Sequence, residues 1–171
     1  MRTIVVEAYD SVWSAEFMRI RDFLWPHVSD LALDIVHAGS TSVPGLAAKP
    51  IIDLHIVMES YAVFPALKAR LEALGYEHEG DLGIPTREAF KDGPAGFMTY
   101  HLYVSPQDGP EYVRQILFRD WLRGHDGDRD AYGELKRRNA ALYPHDIDAY
   151  IEGKSDFVEG ILRKCTSTPS A

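Results

Sequence analysis

The stretch over residues 37–58 constrains this chain more than any other part of it. Two β-branched runs, residues 31–36 and 51–58, flank a connector of small hydroxyl residues, two glycines, two prolines and Lys49. Such a connector brings backbone N–H groups, hydroxyls and an ammonium close to an anion, because glycine permits close approach and proline fixes the turn. In the strand that follows, Ile52, Leu54, Ile56 and Met58 share one face, and Ile51, Asp53, His55 and Val57 share the other. Asp53 and His55 therefore stand about 6–7 Å apart at Cα on the strand rise alone. Asp53 lies in an otherwise apolar octet, where an ionised carboxylate needs a partner or a metal. An anion cradle next to a metal-capable pair is the layout of phosphate chemistry.

Composition sets the outer limits. At 171 residues the chain suits one domain of the usual size, about 100–200 residues. Hydrophobic residues at 46% and charged residues at 26% are enough to build a core. A net charge of −8 excludes a general nucleic-acid binder, whose partner demands a basic surface, but leaves room for a local basic pocket. One cysteine, Cys165, makes no internal disulfide, and no apolar run reaches signal-peptide or membrane-span length. The expectation is a cytoplasmic protein without membrane contact.

In chain order, Asp10 or Ser11 caps a helix carrying Trp13, Phe17, Ile20 and Leu24, which Pro26 is expected to end. The first central strand is expected over residues 31–36. A helix from Ser60 presents Phe64, Leu67, Leu71 and Leu74 and stops at Gly75. Weak strands over 76–79 and 86–91 precede a strong one over 97–104. The remainder reads as helical: a stripe of Val113, Ile116, Leu117 and Trp121, a break at 124–128, a helix marked by Tyr132, Leu135 and Leu142, and a last helix with Ile147, Ile151, Val158 and Ile161 inward. This predicts an α+β fold with a sheet of about four to five strands, flanking helices and a C-terminal helical segment. A single domain is expected over residues 1–165, followed by a polar tail over 166–171.

The segment 39–53 resembles the signature of the GrpB family, a bacterial group placed in the nucleotidyltransferase superfamily. The resemblance continues in Gly80-Asp81-Leu82-Gly83-Ile84-Pro85, Arg87-Glu88, His101-Leu102, Phe118-Arg119-Asp120-Trp121-Leu122-Arg123, Leu135-Lys136 and Lys154-Ser155-Asp156-Phe157-Val158. It implies a nucleotidyltransferase-like mixed sheet and a superfamily motif of a Gly-Ser turn followed by two carboxylates one residue apart. Gly39-Ser40 and Asp53 match that motif, and His55 stands at the second acid. The superfamily's third acid lies on a later strand, where this chain has His101, and Tyr103 replaces the second imidazole of the family's His-Leu-His.

On this reading Asp53, His55 and His101 are the candidate catalytic residues. Gly39, Ser40, Thr41, Ser42, Lys49, Arg119, Arg123 and Lys154 are the candidate phosphate ligands. Asp53, His55, His101 and Glu88 are the candidate metal ligands. Each has a plainer alternative: a hydrogen-bonded core histidine at 101, a cross-strand ion pair at Glu88, a solvated basic edge at Arg119 and Arg123, and a snorkelling stem at Lys154. Glu88 beside Asp53 would suit Mg²⁺, whereas two imidazoles suit Mn²⁺ or Zn²⁺. The ligand is a nucleotide or another phosphorylated small molecule. Three classes stay open: metal-dependent nucleotidyl or phosphoryl transfer, a non-catalytic nucleotide-binding or folding module such as the family domain appended to dephospho-CoA kinase, and an Asp/His metal-dependent hydrolase. No Walker loop, GxGxxG or cysteine–zinc spacing is present.

Overall fold

A computed structural model describes residues 2–167. Five strands, β1 (Asp34–Ala38), β2 (Ile52–Met58), β3 (Glu77–Gly80), β4 (Glu88–Lys91) and β5 (Tyr100–Pro106), form one sheet in the order β1-β2-β5-β4-β3. Only β2 and β5 run parallel; the other neighbours are antiparallel, so the sheet is mixed. Helices α1 (Val12–Val28) and α2 (Phe64–Ala73) cover one face. The other face meets α3 (Pro110–Gly124), α4 (Asp126–Leu142), α5 (Ile147–Glu152) and α6 (Ser155–Ser167).

The main core lies under α1 and α2. Trp13, Ile20, Leu24 and Val28 of α1 repeat at helical spacing and pack on Ile52, Leu54 and Ile56 of β2 and on Leu102 and Val104 of β5. A smaller cluster of Val43, Leu46, Leu122 and Tyr132 joins the 39–48 turn to α3 and α4. The two faces of β2 thus serve two ends. One is pure core, and the other carries Asp53 and His55.

Several expected boundaries shift. Pro26 lies inside α1, which runs on to Val28 because Leu24 and Val28 are fully buried, and a proline in the last turn removes only one hydrogen bond. The first strand starts at Asp34, since Leu31 and Ala32 donate their N–H groups back to the Val28 carbonyl at 2.9 and 2.8 Å. The strong strand begins only at Tyr100, because the Met98 N–H is held by the Glu16 carboxylate of α1 at 2.7 Å. The break between α3 and α4 is His125 alone, stacked on Trp121 at 3.7 Å.

The last expected helix is two. It breaks between Glu152 and Ser155, where Gly153 packs against Asn139 and has no room for a side chain. The inward stripe is not carried across that break. Ile147 and Ile151 are 43% and 51% exposed, and Tyr150 is the buried residue instead. Thr166 and Ser167 belong to α6; the rest of the expected tail, residues 168–171, lies outside the described residues.

Candidate functional site

Between the β2/β5 face, the turn after β1 and helices α3 to α6 lies a cavity of about 330 Å³. Asp53 stands at its floor. Sheet register sets its neighbours: Ala38 on β1 and His101 on β5 are its cross-strand partners. The His101 Nδ1–H donates to Asp53 Oδ1 at 2.9 Å, leaving the rest of a half-exposed ring at the cavity edge. Gly39 closes the other side of Asp53. Its φ of +68° is a glycine conformation, and a Cβ there would collide with the Asp53 carboxylate.

The turn is held by its own side chains and by α3. Ser42 Oγ donates to the Gly39 carbonyl, and Thr41 Oγ1 meets His37 Nε2 at 2.9 Å. His37 stacks on Phe17 at 4.6 Å, and burial pushes its pKa down to about 4. Arg119 Nη1 donates to the His37 carbonyl at 2.9 Å, and Arg123 donates twice to the Ser42 carbonyl, at 3.0 and 2.7 Å. Gly39, Ser40, Thr41 and Arg119 border the cavity, whereas Ser42 and Arg123 do not. The expected arginine clamp is therefore a turn brace at Arg123, and only Arg119 also reaches the cavity.

The expected metal set is not brought together. His55 is fully buried, and both ring nitrogens are engaged: Nε2 with Gln115 Oε1 at 2.9 Å and Nδ1 with Ser105 Oγ at 3.0 Å. The Gln115 amide N–H₂ donates to Glu111, so its oxygen faces His55, Nε2 carries the proton and Nδ1 accepts the Ser105 hydroxyl. No lone pair remains for a metal, and burial lowers the ring's pKa. Glu88 is paired with Val104, which puts it on the α1/α2 face of the sheet, away from Asp53. There it meets His78 at 2.9 Å and Tyr61 at 3.3 Å. Among the described residues no group of three or more His, Cys, Asp or Glu side chains could hold a metal ion.

What converges instead is positive charge. Among the described residues lining the cavity, Lys49, Arg87, Arg114, Arg119, Lys136 and Lys154 are the basic side chains, and Asp53 is the one carboxylate. Lys49 and Lys154, expected as phosphate ligands, line the cavity, and so does Lys136, which the sequence did not mark as a site residue. It is 2% exposed, and its Nζ has no hydrogen-bond partner among the described residues. Burial, then Lys154 and Lys49, pull its pKa down to about 6; burial, then Lys49, lowers Lys154 to about 8. Tyr132 and Tyr150 complete that wall. The signal for Lys136 was its spacing: Tyr132, Lys136 and Asn139 repeat at helical intervals and form the buried stripe of α4, in place of the leucines.

Comparison with known proteins agrees with the fold. Residues 3–164 match the family described as GrpB protein. The UPF0157 protein YqkA of Bacillus subtilis is 34% identical over 92% of this chain, which spans 46% of YqkA. A dephospho-CoA kinase of Mycolicibacterium paratuberculosis is 29% identical over 91% of the chain and 44% of its own length. The chain thus spans about half the length of these relatives. The crystal structure of GrpB from Enterococcus faecalis superposes with a TM-score of 0.82 at 32% identity, covering 94% of this chain and 96% of that one. The Cid1 poly(U) polymerase, with MgGTP bound, superposes with a TM-score of 0.55 at 14% identity over 78% of this chain and 43% of that chain, a likeness of fold alone. The fold is nucleotidyltransferase-like, and the chain belongs to the GrpB family.

Proposed function

We propose that the cavity binds a nucleotide or another phosphorylated small molecule, with its phosphates between Ser40 and the Lys49, Lys136, Lys154 and Arg119 side chains. One observation carries this reading: among the described residues lining the cavity six are lysines or arginines and one, Asp53, is a carboxylate, while the amine of Lys136 is buried with no hydrogen-bond partner among the described residues. Such an arrangement is costly when empty and favourable when a polyanion enters. Ser40, on the turn that borders the cavity, supplies a hydroxyl that can donate to a phosphate oxygen.

The residues present do not build the two-carboxylate, two-metal site that nucleotidyl transfer would use. Asp53 stands alone as hard oxygen, His55 is sealed in hydrogen bonds and Glu88 faces away. A hydrolase built on Asp53, His55 and His101 meets the same obstacle at His55. These placements favour ligand binding without turnover over metal-dependent transfer. Any Mg²⁺ or Mn²⁺ would have to be held by Asp53 and by the ligand's own phosphate oxygens.

Thermal-shift titration with nucleotides, alone and with Mg²⁺, Mn²⁺ or Zn²⁺, tests the reading. Ligand at about a hundred times its Kd should stabilise the fold by roughly 2.7 kcal/mol. Ser40→Ala should weaken that binding by about 1–2 kcal/mol with little effect on folding. Absence of stabilisation by every phosphorylated ligand tried would refute the proposal. Release of pyrophosphate by wild type, lost in Asp53→Asn, would restore the transfer reading over simple binding.

A further inference from the structure

The three lysines of the cavity come from three separate segments and meet over two aromatic rings. Lys49 Nζ lies 5.4 Å and Lys154 Nζ 4.6 Å from the centre of the Tyr150 ring. Lys136 Nζ lies 4.6 Å from the centre of the Tyr132 ring, one turn along the same helix. Ring faces attract ammonium groups, but by only about 0.5–2 kcal/mol, which does not replace lost hydration. The groups that face Lys136 make this plain. From the segment before β2 comes Lys49, and from the α5–α6 junction comes Lys154. Its own helix adds Tyr132 and Arg137. The nearest acid of the cavity, Asp53, acts on Lys49 and Lys154 but is already bonded to His101. Three lysine amines therefore meet in a cavity whose one carboxylate is already committed.

We propose that Lys49, Lys136 and Lys154 form a subsite for the doubly charged end of a phosphate monoester or pyrophosphate group, and that this end draws a proton onto Lys136 as it binds. The inference rests on the phosphate reading above and narrows it. A diester carries one charge and has no free end, so it leaves part of the lysine cluster uncompensated. A monoester or polyphosphate end satisfies all three ammonium groups, and its oxygens accept the hydrogen bonds that Lys136 Nζ lacks. In the empty cavity Lys136 relieves the repulsion by shedding its proton to solvent. The anion reverses this: Nζ takes one proton from the buffer, and no covalent bond forms or breaks. Lys154, less strongly affected, contributes in the same direction.

Calorimetric titration of the whole chain with pyrophosphate and with sulfate, in two buffers of different ionisation enthalpy, reads affinity and protons exchanged together. Sulfate remains a dianion throughout the neutral range, so any proton taken up with it goes to the protein. Wild type should take up close to one proton per bound sulfate, whereas pyrophosphate can pass its own proton to Lys136. Lys136→Met should weaken pyrophosphate at least about tenfold and remove that uptake, and Lys154→Met should weaken it without removing the uptake. ATP and AMP added as further probes assign the end group, since tighter binding of ATP than of pyrophosphate marks a nucleotide tail. Pyrophosphate binding that is unchanged in Lys136→Met, or sulfate binding with no proton uptake, overturns the subsite while the wider phosphate reading stands. Wild type that binds none of these probes overturns both.

Discussion

At His55 a single side chain separates this molecule from the two-acid pattern its turn resembles. The ring is fully buried, donates to Gln115 and accepts from Ser105. Substituting the missing acid is therefore not a restoration. An aspartate at this position is shorter, has no proton to donate to the Gln115 oxygen when ionised, and carries a charge that burial disfavours. His55→Asp is expected to destabilise the fold by roughly 2–4 kcal/mol, read as a fall in the urea midpoint, and to give no gain in Mg²⁺ affinity. A variant that folds normally and binds Mg²⁺ more tightly would show that the hydrogen-bond pair is dispensable and the acid site latent. Gly39 acts at the same scale. Its positive φ and the carboxylate against its α-carbon make the position specific to glycine, which sets where Asp53 can stand.

Among the elements, the turn after β1 and helix α3 depend on each other. Arg123 forks onto the Ser42 carbonyl, and Arg119 reaches the His37 carbonyl, so two helix side chains satisfy acceptors at the end of β1 and in the turn that follows it. Arg123→Met should cost about 1 kcal/mol of stability and speed hydrogen exchange at the turn more than in β2 or β5. Arg123→Lys should not rescue it, because one ammonium cannot make the bidentate contact. Equal exchange rates in wild type and Arg123→Met would return Arg123 to the role of a solvated edge charge. The α5–α6 break matters for a related reason. It turns Tyr150 inward and sets Lys154 over its ring, a placement that one continuous helix with an Ile147–Ile151 core stripe would not have produced.

For the whole molecule, the lysine cluster links folding to pH. Lys136 titrates at about 6 and Lys154 at about 8 in the fold, against an ordinary 10.5. Above those values and below the ordinary one, the unfolded chain binds more protons than the folded chain, so stability rises with pH. His37 at about 4 adds the same sign at lower pH. The raised Tyr132 pKa reverses the slope only where tyrosines ionise. The urea midpoint of the free protein should therefore climb from pH ~7 to pH ~9, and Lys136→Met should flatten the climb while raising stability at neutral pH by on the order of 1–4 kcal/mol. A midpoint that falls over this range would show the lysines to be hydrated in solution. Among the described residues no helix is long and apolar enough to cross a membrane.

Much of this was legible before any fold was known. The alternation of residues 51–58 put Asp53 and His55 on one face, the turn residues marked Gly39 and Ser40, and helical spacing found the core stripe of α1. These are local properties, set by the backbone's own periods and by turn chemistry. What remained hidden depends on neighbours distant in sequence. His55 is closed by Ser105 and Gln115, fifty and sixty residues away, and Glu88 is turned from the site by its register with β5. Lys136 reads as an ordinary surface lysine until α5 and α6 cover it. A sequence carries the type and phase of each side chain, but burial and partnership arise only when separate elements pack, and here they decided which candidates meet in the cavity.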